Sequence, residues 1–276
     1  MANITATQVN ELRKITGAGM MDCKVALTEA DGDSEKAIEI LRKKGQKVAD
    51  KRADRDAAEG VIIAKLADDK QYGAIVRISC ETDFVAKNDA FVKFVTDICE
   101  KAAELKIQSV EVLKATTING ISIQDMILDQ LAKIGEKIDI VDFKTITAPI
   151  VFSYIHPGNR LATIMGLNMP NVADIQTIGK EVNMQIAAMA PIALDKSGVD
   201  DATIQKEIEI GKDQARQEGK PEAMLEKIAL GKLNKFYKEN TLLAQDFVRD
   251  NKMTVDQYLK SADKNLTVTE FYRVAL

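Results

Sequence analysis

Histidine is almost absent from this 276-residue chain: His156 is the only one, and there is no tryptophan. A single imidazole makes a multi-histidine metal site impossible. It also removes the commonest acid–base group, which argues against an enzyme working through its own side chains. Aromatic residues make up only 5% of the chain, so a cofactor box of stacked rings is not expected. The three cysteines, Cys23, Cys80 and Cys99, are widely spaced with no C-x-x-C, the pattern of reduced, buried thiols in the cytoplasm. No apolar run approaches the roughly 18 residues of a membrane span, and the first twenty residues lack the apolar core of a secretory signal. The phosphate-loop pattern G-x-x-x-x-G-K-[ST] is missing, so direct nucleotide binding through such a loop is not expected. Neither sign of charge dominates: 38 Lys and Arg face 42 Asp and Glu, for a net charge of −4, which does not coat nucleic acid through bulk charge.

What is present is an ordinary soluble composition, 46% hydrophobic and 29% charged, on a chain long enough for two or three domains. The first fifty residues predict three short helices. Thr5 with Gln8 forms a capping-box pattern, Val9 and Leu12 supply an apolar face, and Gly17 is a natural stop. A second helix runs from Gly19 to Ala30, and Asp33 or Ser34 caps a third. A module this small needs to lean on the segment that follows or to serve as a docking head. From Lys47 to Glu59 the chain is Ala-rich and charged, as in a helical or flexible linker.

A unit then appears twice, predicting an α+β fold with a duplicated hairpin-plus-helix core. Gly60–Leu66 and Tyr72–Cys80 are β-branched runs joined by a turn, followed by a helix from about Asp89 to Leu105. Its Phe91, Val95, Ile98, Ala102 and Leu105 form a buried stripe. Ile150–Ile155 and Arg160–Leu167 flank a Pro157-Gly158-Asn159 turn, and a helix from about Val172 to Ala190 repeats the stripe. Between the two units, a helix capped by Ser122 precedes a strand near Lys137–Ile146. Residues 200–240 predict an antiparallel two-helix arm broken at Gly219-Lys220-Pro221. Its thin seam is expected to use Ile204, Ile208, Gly211 and Ala215 against Met224, Ile228 and Gly231. The expected division is 1–52, 53–146 and 147–276, with the arm at about 198–240 and a C-terminal module, holding a short capped helix and a final strand, at about 241–276.

Three segments invite a functional reading. Residues 36–55 hold eight Lys or Arg against three Asp or Glu. That stretch is either a solvated helix face or a patch for RNA or the ribosome, and the absence of interleaved aromatics favours the first. Thr16–Asp22, TGAGMMD, has the outline of a dinucleotide-binding loop. It lacks the third glycine and follows a helix, so that reading is rejected. Its Met20 and Met21 are either core filler, which composition favours, or adaptable binding residues. Glu81–Asp89, ETDFVAKND, places Phe84-Val85 in the middle of a polar connection. The pair either folds back to staple the helix start, the more economical arrangement, or projects as an apolar wedge. His156, beside a turn and far from any nucleophile context, reads as structural.

Two of these segments, read as Leu12–Leu27 (LRKITGAGMMDCKVAL) and Glu81–Asp89 (ETDFVAKND), closely resemble the two motifs of the bacterial elongation factor Ts family. The resemblance extends along the whole chain, including GKPE at the arm tip and FV…TVDQYL near the C-terminus. It implies a guanine-nucleotide exchange factor, not an enzyme, that binds elongation factor Tu with GDP during translation elongation. It implies a ubiquitin-associated-like head, a coiled-coil arm, and a core that grips a distal domain of Tu. Leu12, Gly17, Met20 and Met21 would form the partner-binding set on the head, facing the Tu G domain. Thr82, Asp83, Phe84 and Val85 would disturb the magnesium site of Tu, with Phe84 as the wedge. The C-terminal module would add a further contact to the G domain. The resemblance implies no cofactor of the chain's own and no direct nucleic-acid or membrane binding, and it allows a 2:2 assembly. The alternative from another class is a ribosome- or RNA-associated protein acting through residues 36–55.

Overall fold

The computed structural model describes residues 4–52 and 54–276. Three helices open the chain: α1 (Ala6–Thr16), α2 (Met20–Glu29) and α3 (Ser34–Arg52). The capping box forms as expected, with the Gln8 amide donating to Thr5 Oγ1 at 3.3 Å and the Thr5 amide donating to Gln8 Oε1 at 3.0 Å. Val9, Leu12, Cys23, Ala26, Leu27, Ala37 and Leu41 bury a small common core. That core is small, and α3 also leans on the body through α7 (Ile123–Ile134). At the crossing, a Cβ on Gly45 would sit 3.2 Å from the Leu128 carbonyl oxygen, so glycine is what lets the backbones approach. The linker expected from Lys47 is helical as far as Arg52, which pairs with Glu81 of the body. Ala53, at the expected junction, lies outside the described residues.

The body repeats one connectivity. In the first unit β1 (Glu59–Leu66) and β2 (Tyr72–Cys80) form an antiparallel hairpin. A single turn, α4 (Asp83–Ala86), leads into α5 (Asp89–Glu104). After α6 (Val110–Ala115), a two-residue ribbon of β3 (Thr117–Ile118) and β4 (Ile121–Ser122), and α7, the strand β5 (Asp139–Thr147) pairs antiparallel with β2. In the second unit β6 (Ile150–Ile155) and β7 (Leu161–Leu167) form the hairpin and α8 (Ile175–Met189) follows. The last strand, β10 (Val268–Ala275), again pairs antiparallel with the second strand of its hairpin. The sheet orders β1-β2-β5 and β6-β7-β10 are therefore equivalent.

The two sheets face each other, and Ile62, Ile75, Ile146, Val151, Ala162 and Ile164 fill the layer between them. The outer face of the first sheet is closed by the Phe91, Val95, Ile98 and Ala102 stripe of α5, and that of the second by Ile178, Val182 and Ile186 of α8. Leu105, expected to end the first stripe, follows the last helical residue instead and is 52% exposed. Covering both faces explains why β1 and β2 are near-continuous apolar runs rather than alternating ones.

Between α8 and β10 lie the helical hairpin of α9 (Asp201–Gln217) and α10 (Glu222–Asn240), a short ribbon of β8 (Asp246–Phe247) and β9 (Asp250–Thr254), and α11 (Val255–Ala262). The outgoing seam is as expected at Gly211 and Ala215, but the returning seam is Leu225, Ala229 and Leu233 rather than Met224, Ile228 and Gly231. The shift by one or two positions sets small Ala229 against Gly211, where the helices come closest, and leaves Met224 outside.

Candidate functional site

The connection between β2 and α5 begins with Thr82. Its hydroxyl oxygen accepts from the Val85 amide at 3.4 Å and so caps the single turn α4. Asn88 caps α5 in the same way, its Oδ1 accepting from Ala90 at 2.9 Å. Two caps six residues apart force a tight double turn between strand and helix. Within the first turn consecutive side chains diverge by about 100°, so neighbours cannot share a face. Val85 turns inward against the core formed by α5 and the first sheet. Phe84 turns out and is 84% exposed, the most exposed large hydrophobic residue described. The staple expected from loop economy is therefore wrong for Phe84 and applies to Val85 alone.

The turn is held from a distance. One oxygen of the Glu136 carboxylate accepts from the Glu81 and Thr82 amides at 3.0 and 3.1 Å, and the other accepts the Thr82 hydroxyl at 2.6 Å. Glu81 in turn accepts from the Lys137 amide and from Arg52 at the end of α3, both at 2.7 Å. The Lys137 amide and the Arg52 guanidinium hold the Glu81 carboxyl below the ordinary carboxylate range. The Cys80 thiol donates to the Thr82 carbonyl at 3.3 Å, and burial pushes it up to about 11, with Glu136 and Glu59 adding to the shift. A thiol kept protonated at neutral pH serves here as a donor, not a nucleophile. Asp83 pairs with Lys87 at 2.7 Å on the exposed side of the turn, and that hydrogen bond lowers its carboxyl.

Beside Phe84 a groove of about 400 Å³ runs between the start of α5 and the end of α7, lined by Val85, Phe91, Gln130, Lys133 and Ile134. Lys133 also reaches the head: a Cβ on Gly17 would lie 3.5 Å from its Cδ, and Gly17 takes a left-handed φ of +68° to end α1. The loop and helix start beyond Gly17 present Met20 and Met21, 56% and 69% exposed, so neither is core filler. Ile15 and Val25 are also exposed, and Val25 lies one helical turn beyond Met21. Leu12 is 1% exposed and belongs to the head's interior; of the four head residues singled out by sequence, it alone does not reach the surface.

The sequence reading missed Glu136, Ile15 and Val25. For Glu136 the only local signal is the left-handed Gly135 before it, which ends α7, and nothing near it points back 54 residues to Thr82. In the basic stretch, Lys36, Arg42, Lys44 and Arg52 form ion pairs with Asp33, Asp125, Asp22 and Glu81. His156 sits exposed on the β6–β7 turn with Nδ1 2.9 Å from the Tyr154 hydroxyl. The three cysteines are free and buried. In the C-terminal region Phe247 stacks on Tyr258 at 4.1 Å between ring centres, while neighbouring Val248 is 57% exposed. No helix among the described residues is long and apolar enough to cross a membrane.

Comparison with known proteins finds that the family described as Elongation factor TS matches residues 81–276. A protein named Elongation factor Ts from Christiangramia forsetii is 54% identical over 276 residues, all of both chains. The same name is carried by a relative from Flavobacterium psychrophilum, 51% identical over all of both chains. A third, from Amoebophilus asiaticus, is 50% identical over 98% of each.

Proposed function

The chain belongs to the elongation factor Ts family, nucleotide exchange factors of translation elongation, and on that premise we propose that it binds elongation factor Tu carrying GDP and promotes GDP release by disturbing the partner's magnesium and phosphate site. The observation that carries this reading is Phe84, a large ring left 84% exposed on a turn that Glu136 holds in place. An exposed aromatic on a loose loop would lose its binding energy to ordering, whereas one on a fixed turn arrives preorganised.

An exchange factor works by binding the nucleotide-free partner better than the nucleotide-bound one, and the coupling is reciprocal: the nucleotide must weaken the factor by the same ratio. Burying one phenylalanine ring supplies about 2–3 kcal/mol. Nanomolar nucleotide binding amounts to about 12 kcal/mol, so one wedge is not enough. The exposed head face of Ile15, Met20 and Met21, the groove beside Phe84, and the C-terminal module supply the remainder in this reading. Residues 1–52 act as a ubiquitin-associated-like docking head and 53–146 carry the wedge. Residues 147–276 grip a distal domain of Tu, with α9–α10 as a coiled-coil arm, and the setting is the cytoplasm.

The test is release of labelled GDP from Tu, with the wild-type chain and with Phe84→Ala. Acceleration by the wild type and its loss in the variant are expected. A wild type that leaves release unchanged removes the exchange-factor reading. A variant as active and as tightly bound as wild type removes the wedge. Deleting residues 1–50 without change in Tu affinity would remove the head's docking role. Binding of RNA with a steep salt dependence would favour the alternative reading. The ion pairs that occupy Lys36, Arg42, Lys44 and Arg52 speak against it.

A further inference from the structure

Where the helical hairpin rejoins the body, two glutamine side chains are buried together. Gln185 of α8 and Gln245, just after α10, are each 1% exposed. The Gln185 Nε2 donates to Gln245 Oε1 and to the Asp246 carbonyl, both at 3.1 Å, while its Oε1 accepts from the Val248 amide at 2.9 Å. The Gln245 Nε2 donates to the Met189 carbonyl at 3.3 Å and to the Glu239 carbonyl at 2.9 Å. Each side-chain N–H and both amide oxygens are thus used, and the bonds join α8, the last turn of α10 and the β8–β9 ribbon. The Gln245 carbonyl extends the junction to α11 by accepting from the Val255 amide at 3.0 Å.

Such a network specifies direction as well as adhesion. Turning the Gln185 amide over would set its N–H groups against the Val248 amide and its oxygen against two other oxygens. Apolar side chains would fill the same space but would permit sliding. One turn earlier on α8, Glu181 accepts the Tyr258 hydroxyl and pairs with Arg249 at 2.8 Å, a second clasp on the same helix face. What these clasps hold at the surface is apolar: Val248 is 57% exposed and Met189 is 46% exposed, and each contributes a backbone group to the network.

We propose that Gln185 and Gln245 are positioning residues for partner binding: they lock the root of the α9–α10 hairpin and the exposed β8–β9 tip to α8, so that both meet the partner as one surface. The proposal rests on the exchange-factor reading. The experiment uses the full-length chain with Gln185→Leu, Gln245→Leu, the double variant and Gln185→Glu. It measures affinity for nucleotide-free Tu, the GDP release rate at saturating factor, and amide hydrogen exchange.

Each leucine variant should weaken Tu binding by about tenfold and leave the saturating release rate within about twofold. The double variant should lose no more than the worse single one, because the pair acts as a unit. The Val248 amide should exchange faster while the amides of α5 keep their protection. Gln185→Glu retains the acceptor for Val248 but sets a buried carboxylate against Gln245 Oε1 and the Asp246 carbonyl, and it should weaken Tu binding more than leucine does. Wild-type affinity in the leucine variants, or α5 losing protection in step with Val248, would overturn the proposal. If the wild type accelerates release and the variants match it, only this proposal fails. If the wild type does not accelerate release, the functional reading itself fails.

Discussion

The duplicated core offers two connections at the same place in the topology, each leading from the second strand of a hairpin into the covering helix. In the first, residues 81–88, a hydrophobic pair divides: Val85 goes in and Phe84 goes out. In the second, residues 168–174, Met169 and Val172 both pack back onto the second core. The difference lies in what holds the backbone. Thr82 and Glu136 wind the first connection into a helical turn, and adjacent residues of a turn cannot face the same way. The second has no helical turn before α8. Asn168 fastens it instead to the segment preceding β10, donating to the Asn265 carbonyl at 2.8 Å and accepting from the Thr267 amide at 2.9 Å. Its hydrophobic residues, three apart, are free to fold in. Two loops with similar apolar content thus end differently, one projecting a ring and the other packed down, and the first is clasped by a distant carboxylate.

The largest effect expected from testing this contrast is on Phe84→Ala. It should cost about 2–3 kcal/mol in binding nucleotide-free Tu, roughly two decades of affinity. Its folding stability in a urea titration should change by no more than about 0.5 kcal/mol, since the ring is exposed. Glu136→Ala should come next. It leaves the Glu81 and Thr82 amides and the Thr82 hydroxyl without their acceptor, and should lower stability by about 1–3 kcal/mol in a urea titration. It should also slow GDP release although Phe84 is untouched; unchanged release would mean that the clasp does not orient the wedge. Val172→Ala should lower stability by about 1 kcal/mol and leave exchange alone. If it slows GDP release as Phe84→Ala does, the two connections are not employed differently.

The smallest effect concerns pH. The Glu81 carboxyl is held below its unfolded value of about 4.3, so its contribution is complete above that value and is lost only as pH falls through the lower folded one. Its link to Arg52 should therefore persist from pH 7 to 5 and loosen only once the pH falls below the unfolded value. The Arg52 guanidinium resonance followed against pH would show this, and a change centred near neutrality would contradict it.

Much of the framework was legible in the chain because it depends on local chemistry. The Thr5–Gln8 box, the stripes of α5 and α8 and the Pro157-Gly158-Asn159 turn were read within a residue or a few of where they lie. The returning seam of the arm was misplaced because Met224 and Leu225 are equally apolar, and only the close approach of Gly211 to Ala229 decides between them. At the candidate site, ETDFVAKND stood out as an unusual loop, yet its own residues favoured the wrong outcome for Phe84. Glu136, which holds the turn, lies 54 positions from Thr82. Met20 and Met21 posed the same difficulty, since a short helix with alternative apolar faces does not announce which one its neighbours will cover.

By itself, the sequence determined that this is an α+β chain with a repeated hairpin-and-helix unit, with a single histidine and two family motifs. Caps, turns and periodicities act over a few residues and are therefore written locally. Tertiary structure alone decided which hydrophobic groups stay in water. Exposure is a property of packing between distant segments: Glu136 holding the start of the turn that carries Phe84, α3 meeting α7, and Gln185 meeting Gln245 across 60 residues.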